Sequence, residues 1–247
     1  MAKKLLCLAV LFALVGCEIV TAQSLKDGIY SAEEADFDSH GWKGMITLVV
    51  KNGKITNVFY DEISKNNELK NLNNSYSQAM KSASKIAPKQ AVENLSASLV
   101  AKQDPAKVDA VSGATESVEK FKNLAGKALQ EGPENKAGKY YDGFYAAESD
   151  FDSHDYKAYA AILIKDGKIT SASFGEFDKG GAMKSVNETY ANIMNSVSGV
   201  TPAEAERILT LSLVANQDPA KVDVVTGATD TTNTFRKLMQ QALSYAQ

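Results

Sequence analysis

An internal duplication is the feature that most constrains the fold of this chain. Residues 108–115 read Val-Asp-Ala-Val-Ser-Gly-Ala-Thr and return at 222–229, 114 positions later, with only Ala/Val and Ser/Thr exchanges. Gln-Asp-Pro-Ala-Lys precedes both copies, and the offset of 114 holds from Asp36 onward without a gap. Two copies are too few for a solenoid, whose units bury a core only by stacking. The sequence therefore predicts a tandem repeat of two similar domains.

The apolar pattern inside each copy predicts an α+β fold. Two β-rich runs, 45–50 and 55–60, flank Asn52-Gly53, a strong hairpin signal, and the second copy repeats this arrangement around Asp166-Gly167. Apolar residues at helical spacing follow, namely Ala91, Leu95 and Leu99, then Ala205, Leu209 and Leu213. Thr201-Pro202-Ala203-Glu204 matches a capping box. We expect each copy to form a small antiparallel sheet with packed helices.

The segment that joins the copies is polar and rich in helix breakers. Gly132, Pro133 and Gly138 lie within it, which is typical of a linker. The expected organisation is a first domain at residues 25–131, a linker at 132–138 and a second domain at 139–247.

The amino terminus resembles an export signal. Lys3 and Lys4 precede an apolar run at 5–15, which is too short to span a bilayer and suits a signal peptide at residues 1–16. Leu-Val-Gly-Cys17 resembles a lipobox, which would place a lipid on Cys17, whereas cleavage after Ala22 is the alternative. We favour the lipoprotein, because Cys17 has no other evident role. Since Cys7 lies in the leader, the mature chain can form no internal disulfide.

The repeated motif has a readable local chemistry. Asp, Ser and Thr at the start of a helix cap its free N–H groups, and Gly113 permits a turn that other residues resist. A helix N-terminus also favours phosphate, so a Thr hydroxyl there is well placed to carry a phosphate ester. Two interpretations stand at this point, a set of helix caps and a cofactor attachment site.

The motif Asp-x-x-Ser/Thr-Gly-Ala-Thr resembles the acceptor signature of covalent FMN-binding domains. Such domains occur in the C subunit of the sodium-translocating NADH:quinone oxidoreductase and in two-domain lipoproteins of extracellular electron transfer, including pheromone-encoding lipoproteins. The resemblance implies that the final Thr takes FMN through a phosphoester bond installed by a flavin transferase. The cofactor-binding positions that it implies are Asp109, Ser112, Gly113, Ala114 and Thr115 in the first copy, and Asp223, Thr226, Gly227, Ala228 and Thr229 in the second.

The function implied by this resemblance is that of an exported, membrane-anchored electron carrier with two covalent FMN groups. Its partners would be the flavin transferase, a membrane NADH dehydrogenase-type donor and an external acceptor, at the extracellular or periplasmic face. Without a Gly-x-Gly-x-x-Gly loop or a Ser-His-Asp set, we expect an electron-transfer flavoprotein rather than an independent catalyst. The alternatives are a cofactor-free surface binding lipoprotein and a precursor of a peptide pheromone released from the leader.

Several other residues that occur in both copies have a structural interpretation as well as a cofactor-binding one. Tyr76 with Met80, and Tyr190 with Met194, stand at i, i+4 spacing that is usual for core contacts but also suits a flavin wall. Repeated polar positions are either cofactor contacts or a solvated helix face, namely Lys70, Asn73, Lys184 and Asn187.

The two histidines and the overall charge narrow the remaining possibilities. His40 and His154 each stand among acidic residues, which is a poor set for zinc or copper, so we predict no metal site. We expect their loops to lie near the cofactor or a domain contact, or only to bond internally. The formal net charge of −3 argues against non-specific binding to nucleic acid.

Overall fold

The computed structural model describes residues 24–247, and it folds as two similar halves. The first half contains β1 (Gly28–Glu33), β2 (Trp42–Lys51), β3 (Lys54–Ser64), α1 (Asn74–Ser84), α2 (Pro88–Lys102) and α3 (Thr115–Glu131). The second contains β4 (Gly143–Glu148), β5 (Tyr156–Lys165), β6 (Lys168–Asp178), α4 (Glu188–Ser198), α5 (Pro202–Asn216) and α6 (Thr229–Ser244). The predicted α+β class and the tandem repeat are confirmed. The leader at 1–16 and Cys17 lie outside the described residues.

Each half has a three-stranded antiparallel sheet in the order of the sequence. The β2–β3 turn uses Asn52 and Gly53 at φ 53° and 71°, and the Asp27 carboxylate accepts hydrogen bonds from both backbone N–H groups at 2.9 and 2.8 Å. Asp142 makes the same two bonds to the turn between β5 and β6. A side chain from before the first strand thus fixes the register of each predicted hairpin.

The central strand β2 is buried on both of its faces. Ile46 and Leu48 pack into a core with α2 and α3, whereas Met45 and Val49 point the other way into cores that include residues of the second half. Across the same contact, the N–H of Phe144 donates to the Thr47 hydroxyl at 2.8 Å. The two sheets therefore pack against each other, with the helices of each half on the outside.

The segment between the halves is bonded to the first sheet. The N–H of Glu134 donates to the carbonyl of Ile29 in β1 at 2.6 Å. Farther along, Gly138 lies against the β5–β6 turn, so close that a side chain on Gly167 would meet its backbone at 2.4 Å. No helix within residues 24–247 combines the length and apolar character needed to cross a membrane.

Candidate cofactor site

The repeated motif places each of its final threonines at the first position of a helix. Thr115 begins α3, and Ala114, the residue before it, makes no side-chain capping bond. Thr229 begins α6 in the same way after Ala228. The interpretation of the motif as a set of helix caps is therefore wrong for both helices. The exposed Thr hydroxyls instead stand beside first-turn N–H groups that lack a side-chain cap.

Buried residues anchor the motif loop at both ends and leave its polar residues outside. Val108 and Ala114 are buried, while Asp109 and Ser112 are exposed. The Ser98 hydroxyl on α2 donates to the Asp109 carboxylate at 3.0 Å and accepts the Asp109 N–H at 2.9 Å. The acidic residue thus ties the loop to α2. In the second copy Asp223 and Thr226 are likewise exposed, and Val222 and Ala228 are buried.

The glycine of each motif is required by a close contact. Gly113 has φ 79°, and a Cβ there would lie 2.5 Å from the Cβ of Ser84 and 2.9 Å from its carbonyl oxygen. Gly227 has φ 80° and the same relation to Ser198, with distances of 2.5 and 2.7 Å. Ser84 and Ser198 end α1 and α4, so the glycine lets the motif loop lie against the end of that helix. The sequence alone gives no sign of this contact.

A groove of about 510 Å³ opens between α1 and the start of α3. This volume lies within the usual range of small-molecule sites. One face of α1 supplies an aromatic and apolar wall, the motif supplies the opposite side, and a lysine stands at one end. The lining residues are Lys70, Tyr76, Ala79, Met80, Ala83, Ser84, Gly113, Ala114, Thr115, Glu116 and Ser117. Tyr76, Met80 and Lys70 are thus brought together with Thr115.

A lysine on an aromatic pair recurs in both halves. The Lys70 ammonium lies 4.7 Å from the ring centroid of Tyr76 and 5.4 Å from that of Trp42. The equivalent Lys184 lies 4.9 Å from Tyr190 and 5.0 Å from Tyr156. Such cation–π contacts fix both the charge and the rings. Asn73 and Asn187 do not line the groove but cap α1 and α4, accepting the N–H groups of the two tyrosines.

Buried carboxylates hold these lysines in place. The Glu62 carboxylate forms ion pairs with the ammonium groups of Lys70 at 3.0 Å and Lys120 at 2.9 Å. It also accepts a hydrogen bond from the Ser117 hydroxyl at 3.0 Å. Burial alone would raise the pKa of Glu62, but Lys70 and Lys120 hold it below its usual value. In the second half, Glu176 accepts Lys184 at 3.1 Å. The groove of the first half therefore carries a fixed cation–anion pair at its end. The repeat places the equivalent pair Lys184–Glu176 at the corresponding surface of the second half, which we call the second groove.

Lys120 is a further support that sequence reasoning missed. Its ammonium lies 2.6 Å from Asp38 and 3.5 Å from Glu34 in addition to its contact with Glu62. Burial would raise the pKa of Asp38, but the bond from Lys120 and two backbone N–H groups lower it to about 2. Thr234 occupies the Lys120 position in the second copy. The candidate residues were found because they occur in both copies. Since the second copy has no lysine at this position, that comparison could not point to Lys120.

The first histidine loop lies beside the motif. His40 Nε2 is 4.0 Å from the carboxylate of Glu116, the residue after Thr115. Asp38 closes the loop by accepting the N–H groups of His40 and Trp42, and Asp152 does the same for His154 and Tyr156. Within residues 24–247, no cluster of three His, Cys, Asp or Glu could hold a metal ion.

Comparison with known proteins identifies the family. The profile of the FMN-binding domain matches residues 41–130 and 154–244. A 15 kDa lipoprotein of Treponema pallidum (strain Nichols) is 37% identical over 125 residues, which cover 51% of this chain and 85% of that protein. The CPE2226 protein of Clostridium perfringens is 42% identical, covering 42% of this chain and 87% of that one at a TM-score of 0.41. A Clostridium thermocellum protein solved by NMR is 35% identical, covering 43% and 92% at a TM-score of 0.32. The chain thus belongs to the FMN-binding domain family, with one such domain in each half.

Proposed function

We propose that the protein is an exported, lipid-anchored electron carrier with FMN joined by phosphoester bonds to Thr115 and Thr229. One observation carries this proposal. An exposed Thr hydroxyl stands at the uncapped start of α3 and borders a groove with an aromatic wall. The α6 helix presents Thr229 in the same position.

The start of the helix suits the phosphate of the cofactor. The first-turn N–H groups and the positive end of the helix dipole favour an anion next to Thr115. Gly113 keeps the loop against Ser84, which leaves the hydroxyl exposed to a flavin transferase. Asp109 orders the loop through its two hydrogen bonds with Ser98, so we assign it a positioning role.

The groove suits the flavin ring. Tyr76 and Met80 offer an aromatic and apolar wall, and Lys70 brings a fixed positive charge to one end. When bound, the flavin supplies reversible acceptance of one or two electrons. The contribution of this chain is to orient the ring and to stabilise negative charge with Lys70 or Lys184. A covalent link retains the cofactor on the protein outside the cell, where a dissociable cofactor would be lost by dilution.

The expected location and partners follow from the leader and the relative. The Treponema protein is a lipoprotein by name, and the lipobox at Cys17 is consistent with a lipid anchor here as well. Electrons would come from a membrane NADH dehydrogenase-type system and pass to an external acceptor. A flavin transferase on the same side of the membrane would load both sites.

Intact mass of the denatured protein tests this proposal directly. The chain is expressed with its leader and a flavin transferase, beside Thr115→Ala, Thr229→Ala and the double variant. We expect two added FMN groups in the parent, one in each single variant and none in the double variant. Because neither Thr caps its helix, each substitution should change the free energy of unfolding by less than about 0.5 kcal/mol.

The cofactor-free alternative predicts that no variant carries added FMN mass. An unmodified mass in every variant, while the transferase modifies a control substrate, would overturn the proposal. The motif would then serve only to join the helices.

A further inference from the structure

Each Lys–Glu pair has a second carboxyl beside it, with at least one buried oxygen. In the first half this is Asp61, which precedes Glu62 in β3. In the second half it is Glu206 on α5, next to Glu176 and Lys184. The positions are not equivalent, since the repeat places Gly175 opposite Asp61 and Val92 opposite Glu206. Duplication therefore does not account for the shared arrangement.

Asp61 is enclosed between the two halves. It is 1% exposed, and its Oδ1 accepts the N–H groups of Glu62 at 2.8 Å and Asn71 at 3.2 Å. Its Oδ2 has no hydrogen-bond partner among the described residues. The titratable groups around it are Tyr60 and Glu62 on its own strand, Lys70 in the turn after β3, and Tyr159 of β5. Burial dominates and raises the pKa of Asp61 to about 8.

Glu206 has a similar environment built from other elements. Its Oε1 is buried without a hydrogen-bond partner in residues 24–247. The groups around it are Ser185 and Lys184 from the turn after β6, and Glu176 from β6. Burial again dominates, and Glu176 adds to it, so the pKa of Glu206 rises to about 8 although Ser185 and Lys184 oppose this.

Both carboxyls are connected to the groove of their own half. Asp61 adjoins Glu62, which accepts both Lys70 and Ser117 of the groove lining. Glu206 adjoins the Glu176–Lys184 pair, and Lys184 stands on the ring of Tyr190. Charges in such buried surroundings are weakly screened, so a negative charge added in the groove acts on the carboxyl below it.

We propose that Asp61 and Glu206 are proton acceptors, one for each groove, that take up a proton when the cofactor in their own half is reduced. This inference rests on the proposed function. Two electrons from the external donor add two negative charges to the flavin, and one proton from water binds the ring. Above about pH 8 the carboxyl is ionised before reduction, and the second charge is balanced when this carboxylate takes another proton from water and becomes a carboxylic acid; below that pH the carboxyl is already neutral and takes up no proton. Reoxidation removes both electrons and returns both protons.

The first test needs no cofactor. Infrared spectra of the flavin-free Thr115→Ala/Thr229→Ala protein are recorded across pH, with Asp61→Asn and Glu206→Gln made in that background. We expect infrared bands of protonated carboxyl groups that disappear around pH 8. Each variant should lack one of these bands. Carboxyls fully ionised at pH 7 would overturn the inference, whatever the state of the proposed function.

The second test uses proteins that carry one flavin each. Thr229→Ala isolates the first site and Thr115→Ala the second, and the reduction potential is measured from pH 6 to 10. Above about pH 8, the parent site should bind two protons per electron pair, and its own carboxyl variant should bind one fewer. Asp61→Asn should act only on the flavin at Thr115, and Glu206→Gln only on that at Thr229, so each is the control for the other.

The outcomes separate the two proposals. A protein without added FMN mass would overturn the proposed function. Full FMN mass with identical pH slopes in parent and variants would overturn only the proton-acceptor role. Glu206→Val, which introduces the residue of the first copy, provides a second substitution at this position should the Gln variant fold poorly.

Discussion

The two copies of the repeat build the same groove on different supports. In the first, Lys120 joins Asp38, Glu34 and Glu62 beneath the helix start. In the second copy, the buried Thr232 hydroxyl supports the helix start instead. It accepts a hydrogen bond from the N–H of Val225 at 3.2 Å and donates one to the carbonyl of Ala228 at 2.9 Å. What both copies retain is the glycine, the threonine, the tyrosine and the lysine of the groove. Under the proposed function, the retained residues are those that would contact the flavin, whereas the residues that support them differ between the copies.

The walls of the grooves also differ. Ile193 and Val197 of α4 are 60% and 83% exposed, at the positions of Ala79 and Ala83 in the first groove. Neighbouring exposed apolar side chains of this size mark a surface that a ligand or partner covers. A flavin ring bound in the second site would provide that cover.

The largest effect is expected where the copies agree. Gly113→Ala and Gly227→Ala should each destabilise the protein by about 3 kcal/mol, because a Cβ meets the end of the preceding helix and φ is positive. Each variant should also lack FMN on the threonine of its own motif, Thr115 or Thr229. Denaturant unfolding and intact mass measure the two effects. Gly126→Ala is the control, since it lies within α3 with nothing within 4 Å of its Cβ, and it should stabilise by about 1 kcal/mol.

A smaller effect is expected where only the first copy has a charge network. Lys120→Met should cost about 2 kcal/mol at pH 7, because it leaves Asp38 without a counter-ion and removes one of the two lysines that pair with Glu62. Asp38 has a lowered pKa, so its contribution is present above about pH 4 and lost as pH falls through about 2. Unfolding curves of the variant should show a weaker acid dependence, because only the two backbone N–H groups then lower the pKa of Asp38. Thr234→Met at the equivalent position should change stability little, and an equal loss there would refute the distinction.

The smallest effect concerns the wall of the second groove. Ile193→Ala with Val197→Ala gives α4 the residues of α1, and the exposed positions should leave stability within about 0.5 kcal/mol. The fluorescence of the flavin at Thr229 should then approach that of the flavin at Thr115, because the same side chains would cover the ring. Single-flavin proteins allow the comparison, and unchanged emission would show that these residues do not touch the ring.

Local sequence signals predicted much of this fold. Asn52-Gly53 and Asp166-Gly167 form the expected turns, and Thr201 with Glu204 forms the expected capping box. The apolar spacing of Leu95 and Leu99 places both in the core of the first half. These features depend on residues close together in the chain, whose conformational preferences act at short range.

Long-range contacts were not predictable in the same way. No sequence signal indicates that β2 is covered on both faces, although its stretch from Met45 to Val50, apolar except for Thr47, is consistent with it. The bond from Lys120 to Glu62 joins residues 58 positions apart, and the unpaired Asp61 is buried by Tyr159 from the other half. Chain geometry, rather than local propensity, creates these neighbours.

The packing of the two sheets against each other has a consequence for electron traffic. Met45, Phe144 and Tyr159 share a core, so the two halves pack directly against each other. Under the proposed function, two redox groups on halves joined by such a core would keep a nearly constant separation, unlike groups on domains joined by a flexible linker. The rate of exchange between them would then be a fixed property of the molecule, insensitive to solvent viscosity, and only the encounters with donor and acceptor would depend on diffusion.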